Sequence, residues 1–339
     1  MLRALVDQPS WRVSSGTAVV VGLARARLDC APTTAYVMLG DRCDGDCSFC
    51  AQARSSTAHD DLLSRVAWPA FPADDAARAI AAACEKDSLR RVCFQMTTFR
   101  GHIALAERAV TQMRALCDRP ICVSIAPRDL SDIALLLTAG ASRVTLAIDA
   151  ACERIYNKHK SGSWRATDCL LTAAARAWRG RIGTHLIAGL GETEREMALA
   201  MQHYADLSIT EGLFALTPVP GTRLANAQPP PLAVYRRLQA ARWLIVNGLA
   251  SESQFDYDDA GRIVSYGLSP QTLRCALSDP EANPFRTSGC AGCNRPYYNE
   301  RPSGVLYNYP RPLTAAEAAA EALGVLEGLG ASSEPNRQS

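Results

Sequence analysis

The chain has 339 residues, of which 48% are hydrophobic and 21% are charged, with 36 basic and 34 acidic side chains. This composition is typical of a globular protein and excludes a disordered chain, a collagen-like repeat and a small disulfide scaffold. The net charge of +2 provides no basic field to attract nucleic acid or anionic lipid. No apolar run reaches the length of about 18 residues that a membrane span needs.

The 13 cysteines are odd in number, which a fully paired secreted framework would not give. The early apolar stretch at 18–24 is short, starts late and is followed by Arg25 and Arg27, where a signal peptide would have small residues, so it does not have the pattern of a signal peptide. We therefore expect a cytoplasmic protein. In a reducing compartment, clustered cysteines bind metals more often than they form stable disulfides.

Short apolar runs alternate with segments of helical periodicity between Thr33 and Leu216. A capping box formed by Thr193 and Glu196 starts one helix directly after a strand and its Gly-x-Gly turn. Six successive strand–helix units predict an α/β fold with a parallel sheet, either an open doubly wound sheet or a full or partial (β/α) barrel. The predicted strands are 35–39, 92–96, 121–125, 144–148, 184–188 and 213–216, and the predicted helices between them are 73–84, 103–117, 131–139, 166–178 and 193–207.

The sequence changes character after this alternating region. One more helix is predicted over 232–247, and an alanine-rich helix with a second capping box begins near Leu313. Between them the chain is irregular and rich in glycine, proline, tyrosine and cysteine. We predict an N-terminal extension (1–32), a core (33–248), an irregular cysteine-bearing C-terminal segment (249–313), and a terminal helix with a frayed tail (314–339).

Cys43, Cys47 and Cys50 form a C-x3-C-x2-C triplet on the loop that follows the first predicted strand. The polar residues between them argue against three buried cysteines that act as small hydrophobic side chains. Three thiolates cannot complete a four-cysteine zinc site. They can hold three irons of a 4Fe–4S cube and leave the fourth iron open to another ligand, which is a catalytic arrangement.

A triplet at this position in a βα series resembles the radical S-adenosylmethionine (SAM) superfamily. The resemblance implies a full or partial TIM-type barrel, a 4Fe–4S cluster on the three cysteines, and SAM on the open iron. Cleavage of SAM would give a 5′-deoxyadenosyl radical that takes hydrogen from an unactivated carbon, a step beyond any side-chain base. No catalytic side chain is predicted. The cofactor-contact positions implied by the resemblance are Phe49, Gln95, Thr97, Ser124, Gly189, Gly191, Glu192, Thr217 and Pro218.

Within that superfamily, the chain resembles the biotin synthase-like branch over about residues 33–250. Cys93 and Cys122 fall where biotin synthase keeps two cysteines of its 2Fe–2S sulfur donor, but the third cysteine and the arginine ligand have no clear counterpart. We therefore interpret both thiols as buried strand residues. The segments that carry the resemblance are Cys43–Cys50 with Ala51–Ser56, Gly189–Glu194 and Thr217–Leu224.

A second cysteine group lies in the irregular C-terminal segment. Cys290 and Cys293 form a C-x2-C pair in a loop rich in glycine and arginine, where hydrophobic filler is not expected. Together with Cys275 they are candidate ligands of an auxiliary iron–sulfur cluster, with the fourth ligand unknown and a zinc knuckle as the alternative. An auxiliary cluster in a chain of this branch suggests a sulfide donor, and therefore insertion of sulfur at a C–H carbon.

This combination resembles the biotin synthase-like halves of two-component lipoyl synthases, which act on an octanoyl group of a carrier protein. It also resembles auxiliary-cluster biotin synthases, which act on dethiobiotin. We favour lipoyl synthesis, because Asp44–Asp46 and Ala51–Arg54 stand where biotin synthases carry Pro-Glu-Asp and Pro-Gln-Ser. The resemblance implies a ferredoxin- or flavodoxin-type reductant, an acyl-carrying protein and, for the two-component case, a second radical SAM protein. A mutase or maturase without sulfur chemistry, and a non-catalytic metal-binding module, remain as alternatives.

Overall fold

The computed structural model describes residues 10–281, 283–301 and 303–330. The tail predicted at 331–339 and the first nine residues of the predicted N-terminal extension lie outside them. The strands are β1 (Ser10–Val13), β2 (Thr34–Leu39), β3 (Leu62–Leu63), β4 (Val66–Ala67), β5 (Ala70–Pro72), β6 (Arg91–Met96), β7 (Ile121–Ser124), β8 (Arg143–Thr145), β9 (Ile182–Ala188), β10 (Thr210–Ala215), β11 (Asp256–Tyr257) and β12 (Ile263–Ser265). The helices are α1 (Ser15–Val20), α2 (Ala73–Glu85), α3 (His102–Leu116), α4 (Leu130–Thr138), α5 (Glu153–His159), α6 (Trp164–Ala177), α7 (Glu194–Asp206), α8 (Leu232–Val246), α9 (Pro270–Leu277) and α10 (Ala315–Gly330), with a 3-10 turn at Glu252–Gln254.

Eight strands form one sheet in the order β10-β9-β8-β7-β6-β2-β1-β5. The six strands predicted from the sequence are its parallel part, and they follow chain order across the sheet. A doubly wound sheet reverses its strand order at a switch point, so this order excludes the doubly wound alternative. The sheet stays open within the described residues, because β10 and β5 form its two edges. The arrangement is that of a partial β/α barrel.

The two faces of each parallel strand have different surroundings, because side chains alternate between the faces of a sheet. In β6, Val92 and Phe94 are fully buried in the apolar core, whereas Cys93 and Gln95 line the concave side. Helix α7 begins at the capping box that the sequence predicts, with Thr193 accepting from the Glu196 amide. None of the helices in the described part of the chain has both the length and the apolar character needed to cross a bilayer.

Several elements were not predicted. β1 pairs antiparallel with β2 and buries Trp11 and Val13, but four residues of mixed polarity give no clear periodicity. Helix α5 has only seven residues and ends in Lys158 and His159, so its short apolar face gives no clear helical periodicity in the sequence. Helix α9 forms inside the segment predicted to be irregular, since Ser269 caps its first turn and Pro270 occupies its first position.

Residues 283–301 run along the open side of the sheet, from the edge strand β10 to the start of β2. Ser288 Oγ accepts a hydrogen bond from the Leu213 amide at 2.8 Å, and Asn299 Nδ2 donates to the Ala215 carbonyl at 2.8 Å. At the other side, Asn294 Oδ1 accepts from the Thr33 amide at 3.0 Å. The segment therefore bridges the gap between β10 and β2, which are not paired with each other.

A buried arginine on α8 holds the end of this region in place. Arg236 forms a two-pronged ion pair with Glu321 of α10, at 2.7 Å for both contacts, and donates to the carbonyls of Leu306 and Tyr307 at 2.7 and 2.6 Å. Its side chain is 5% exposed. One side chain thus joins α8, α10 and the chain between Glu300 and α10.

We predict that Arg236→Met lowers the free energy of unfolding by roughly 3–5 kcal/mol, because it leaves the largely buried Glu321 carboxylate without its counter-charge and the Leu306 carbonyl without its donor. Urea unfolding followed by circular dichroism measures this. Arg311→Met is the matched control: Arg311 pairs with Glu317 on the surface, with 47% and 30% of the side chains exposed, and its loss is expected to cost at most about 1 kcal/mol. Equal losses in the two variants would contradict the prediction.

Candidate functional site

The concave side of the sheet encloses a cavity of about 710 Å³. Each of the six parallel strands contributes to its wall, and residues 289–301 of the C-terminal segment cover part of it. Aromatic and aliphatic side chains make up much of the lining, among them Phe49, Trp68, Met96, Ile187 and Phe214. A cavity of this size, mostly apolar with a few polar groups, is typical of a ligand-binding site.

The predicted cysteine triplet lies on the loop after β2, beside this cavity. Cys47 and Cys50 line the cavity wall. Cys43 does not, but its sulfur accepts backbone N–H groups from Gly45 at 3.3 Å and from Thr98 at 3.2 Å. Residues Cys47 to Cys50 form a tight turn, in which the Cys50 amide donates to the Cys47 carbonyl at 3.1 Å. These bonds hold the loop through its backbone and the Cys43 sulfur.

Burial determines the protonation of these thiols. It raises the pKa of Cys47, and together with the neighbouring Cys47 it raises the pKa of Cys50 to about 12. Lys160 acts in the opposite direction on Cys47, but its charge is compensated, since its ammonium group lies 2.6 Å from a carboxylate oxygen of Asp149. Both thiols are therefore protonated near neutral pH, and a bound metal would have to displace their protons.

The donor set of this loop fits an iron–sulfur cluster. It offers three thiols from one short loop, and Cys43 already accepts two N–H groups of the kind that stabilise a thiolate. No three His, Cys, Asp or Glu side chains converge on a single ion position anywhere in the described ranges. A 4Fe–4S cube does not require such convergence, because each thiolate binds its own iron.

Four of the nine predicted cofactor contacts line the cavity: Phe49, Gln95, Ser124 and Thr217. The Gln95 amide group is engaged, since its Nε2 donates to the Cys93 sulfur at 3.0 Å. The Thr217 hydroxyl accepts a hydrogen bond from Asn299 Nδ2 at 2.9 Å, which ties the loop after β10 to the C-terminal segment. These side chains come from four different loops or strand ends around one cavity.

The other five predicted contacts, Thr97, Gly189, Gly191, Glu192 and Pro218, are not part of the lining. The Thr97 hydroxyl is buried and donates to the Leu39 carbonyl at 3.2 Å. The Glu192 carboxylate accepts from the amides of Gly189 and Leu190 at 2.6 and 2.9 Å, so it shapes its own loop. Gly189 has φ +101°, and a Cβ there would lie 2.9 Å from Pro230 Cδ. Glu192 and Gly189 thus have a role in the backbone conformation of this loop.

A second group of cysteines, Cys93, Cys122, Cys290 and Cys293, lines the same cavity. The sulfurs of Cys122 and Cys290 are 3.5 Å apart. Arg91 donates to the Cys122 sulfur at 2.9 Å, and Arg143 donates to the Cys290 sulfur at 3.2 Å. The hydrogen bond with Cys122, helped by Arg143, lowers the pKa of Cys290 to about 5, while the same bond raises the pKa of Cys122.

Cys275 does not join this group. It lies exposed on α9, where its thiol accepts from Gln271 Nε2 within the same helix at 3.6 Å, and it does not line the cavity. The structure therefore separates Cys275 from Cys290 and Cys293, because the unpredicted helix α9 places it on a solvent-facing surface. Instead, Cys93 and Cys122 line the cavity together with Cys290 and Cys293, although the sequence predicts them to be buried strand residues.

Tyr298 lines the cavity that both cysteine groups share. It is partly buried and contacts Phe214 with ring centroids 5.6 Å apart. Burial raises its pKa, and both Cys50 of the triplet and Cys93 of the second group add to that rise. One side chain is thus within electrostatic range of both groups. Sequence reasoning did not single out Lys160, Arg91 or Arg143, since only the fold places them at the cavity.

Residues 37–203 match the model of the radical SAM superfamily, so this part of the chain is a radical SAM domain. The family implies a 4Fe–4S cluster and SAM, which agrees with the donor set of the triplet loop. No curated protein matches the chain.

Several solved structures are similar to this chain at low sequence identity. The FeFe-hydrogenase maturase HydG from Carboxydothermus hydrogenoformans has 18% identity and a TM-score of 0.50, covering 63% of this chain and 51% of that chain. A second HydG structure has 14% identity and a TM-score of 0.51, covering 72% and 54%. Methylornithine synthase (PylB) has 14% identity and a TM-score of 0.49, covering 63% and 62%. The chain spans about half the length of the two HydG chains, and the likeness extends to the fold alone.

The triplet loop packs against the loop after β10 through a glycine. Gly221 has φ +87°, and a Cβ there would lie 2.7 Å from the Thr57 carbonyl carbon. We predict that Gly221→Ala lowers the free energy of unfolding by about 1–3 kcal/mol through strain at this contact.

The matched control is Gly248→Ala. Gly248 also has a positive φ, +65°, but a Cβ there would meet nothing within 4 Å. Its substitution carries only the backbone penalty of ~1 kcal/mol. Urea unfolding of both variants measures the difference, and a loss at Gly221 no larger than at Gly248 would show that the contact between the two loops is not tight.

Proposed function

We propose, on the premise that this chain is a radical SAM enzyme, that it inserts sulfur at an unactivated C–H carbon of an acyl chain. The observation that carries the proposal is that one cavity is lined both by Cys47 and Cys50 of the triplet loop and by the second cysteine group. A radical enzyme without sulfur transfer needs only the first of these. A non-catalytic metal-binding module needs no large cavity beside its thiols.

In this proposal, Cys43, Cys47 and Cys50 hold the 4Fe–4S cluster, and Phe49, Ser124 and Thr217 lie where SAM would contact the wall. When bound, that cluster with SAM supplies a 5′-deoxyadenosyl radical, and an auxiliary iron–sulfur cluster supplies the sulfur atom. The residues of the chain position these groups around the substrate and exclude water from the cavity. Tyr298 lines the same cavity as both groups.

The substrate class follows from the lining. Much of the lining is apolar, including the rings of Phe214 and Trp68, and suits an alkyl chain, which is the part of the substrate that must approach both cysteine groups. We propose an octanoyl group on a carrier protein, converted to a lipoyl group with electrons from a ferredoxin- or flavodoxin-type protein. The alternative substrate is dethiobiotin. The departures of the triplet loop from the usual biotin synthase pattern, at Asp44–Asp46 and Ala51–Arg54, support the first.

The decisive experiment is an anaerobic assay of the reconstituted protein with SAM, a low-potential reductant and one of two substrates, an octanoyl-lysine peptide or dethiobiotin. Mass spectrometry of the product is expected to show sulfur in the peptide. Sulfur in dethiobiotin would identify the alternative substrate. Substrate-dependent formation of 5′-deoxyadenosine with a sulfur-free product from either substrate would contradict the sulfur-insertion proposal.

We predict that Cys47→Ala reduces 5′-deoxyadenosine formation by at least a hundredfold, because two thiolates cannot retain a cluster that three must hold. Chromatography of the nucleoside product measures this. Cys169→Ala is the matched control, since Cys169 is exposed on α6 away from the cavity, and it should keep wild-type turnover. Undiminished cleavage in the Cys47 variant would remove the triplet from the reaction.

We also predict that Cys290→Ala separates the two halves of the chemistry. The triplet loop is intact in this variant, so 5′-deoxyadenosine formation should continue at a similar rate, while the sulfur-containing product should fall at least tenfold. A variant that retains sulfur insertion would show that the second cysteine group is not needed for it.

A further inference from the structure

We infer that Cys93, Cys122, Cys290 and Cys293 are the four protein ligands of one auxiliary iron–sulfur cluster. This assigns a ligand set that joins two strands of the sheet to the C-terminal segment. The use of that cluster as a sulfur donor rests on the proposed function, whereas the ligand set rests on the geometry alone.

The first two ligands are fixed by strand register. Cys93 of β6 pairs with Cys122 of β7, and in the neighbouring pairs Tyr36 of β2 lies opposite Cys93 and Arg143 of β8 lies opposite Cys122. The four side chains therefore form one row across the concave face, because paired residues of parallel strands point to the same side. Both thiols face the cavity instead of the helix-covered core.

The other two ligands are brought to this row by the C-terminal segment. Cys290 and Cys293 form a tight turn, with the Cys293 amide donating to the Cys290 carbonyl at 3.0 Å. The Cys290 sulfur lies 3.5 Å from that of Cys122, and the Cys293 sulfur lies 3.0 Å from the Tyr36 hydroxyl. The thiols of Cys122 and Cys290 thus meet directly. The thiol of Cys293 contacts Tyr36, which belongs to the same row of side chains.

The loop is held in this position by contacts that spare its sulfurs. Asn294, directly after Cys293, is buried and donates from Nδ2 to the Ala31 carbonyl at 2.9 Å. Thr287 Oγ1 donates to the Asn294 carbonyl at 2.6 Å, and the Arg295 guanidinium stacks over Phe214 at 4.0 Å. The sequence around the C-x2-C pair thus serves to dock it against the sheet.

The charges around the four thiols favour an anionic occupant. Arg91 and Arg143 both point at the cysteines, and neither forms an ion pair with a carboxylate in the parts of the chain that the structure describes. The buried Nε atoms of both arginines also have no hydrogen-bond partner. Partly buried cations without a counter-charge are costly. A cluster with four thiolates carries net negative charge and would compensate both.

An iron–sulfur cluster fits this group better than a single zinc ion or a disulfide. A zinc ion needs its ligands around one point at about 2.3 Å from each sulfur, and no three ligating side chains in the described ranges converge in that way. A disulfide between Cys122 and Cys290 would give Cys93 and Cys293 no bonding partner, and it would not compensate the charges of Arg91 and Arg143. A polynuclear cluster provides a separate iron for each thiolate and sits in the cavity that all four thiols line.

The ligand set is tested in the full chain with Cys43→Ala, Cys47→Ala and Cys50→Ala combined, so that only the auxiliary site can load. After anaerobic reconstitution with iron and sulfide, this protein should retain bound iron and sulfide with the absorption and Mössbauer spectra of an iron–sulfur cluster. Adding Cys93→Ala, Cys122→Ala, Cys290→Ala or Cys293→Ala should each lower the bound iron at least fivefold. Adding Cys275→Ala or Cys169→Ala should leave it unchanged.

Two results would overturn the assignment. One is iron loading that survives loss of Cys93 or Cys122, or that is lost with Cys275. The other is stoichiometric zinc with no iron when both metals are supplied anaerobically.

A second measurement guards against variants that fail to fold. In the triplet-free protein, thiol alkylation with mass spectrometry before and after loading needs no substitution in the second group. Loading should protect Cys290 and Cys293 at least tenfold, while Cys275 and Cys169 stay reactive in both states. Equal reactivity of Cys290 and Cys293 before and after loading would contradict the assignment.

The two proposals fail in different ways. If the four cysteines bind the cluster but no substrate gains sulfur, the ligand set stands and the proposed reaction falls. If sulfur insertion proceeds in an otherwise native chain carrying Cys93→Ala, the reaction stands and the ligand set falls.

Discussion

The register of the parallel strands is the constraint on which the rest of the site depends. Because β2, β6, β7 and β8 pair in chain order without a reversal, side chains at paired positions form rows across one concave face. One row carries Cys93 and Cys122, and the next row towards the carboxyl ends of the strands carries Gln95 and Ser124. A slip of one residue in β6 would turn Cys93 into the helix-covered core and Val92 into the cavity. The chemistry of the cavity is therefore set by backbone pairing before any side chain is considered.

The open sheet gives the C-terminal segment its role. A closed barrel would pair its edge strands with each other, but here β10 offers free backbone groups to Ser288 and Asn299. The segment that satisfies these groups also carries Cys290 and Cys293 to the row on β6 and β7. The same contacts thus complete the barrel wall and assemble the second cysteine group. This coupling explains why a segment with little regular structure is held by so many specific hydrogen bonds.

The sequence predicts the six parallel strands and the triplet loop well, because both are local patterns. It does not predict the second cysteine group, because Cys122 and Cys290 are 168 residues apart and only the fold brings their sulfurs together. The alternation of side chains in a strand also does not show which of its faces packs against the helices. For that reason the sequence predicts Cys93 only as a buried strand residue. Cys275 was grouped with Cys290 through closeness in sequence, which the capped helix α9 overrides. Local signals give the elements, and pairing between distant segments gives the site.

The two cysteine groups differ in the charge that surrounds them, and this difference suits different tasks. Beside the triplet, the ammonium group of Lys160 is paired with the Asp149 carboxylate, so its positive charge is compensated. Beside the second group, Arg91 and Arg143 have no carboxylate partner. Positive charge at a cluster stabilises its more negative, reduced form. In the proposed function, a cluster at the second group would receive electrons as a C–S bond forms and would benefit from such cations, whereas a cluster at the triplet would give up an electron to cleave SAM and would benefit from their absence. The distribution of charge in the cavity therefore agrees with electron release at the triplet and electron uptake at the second group.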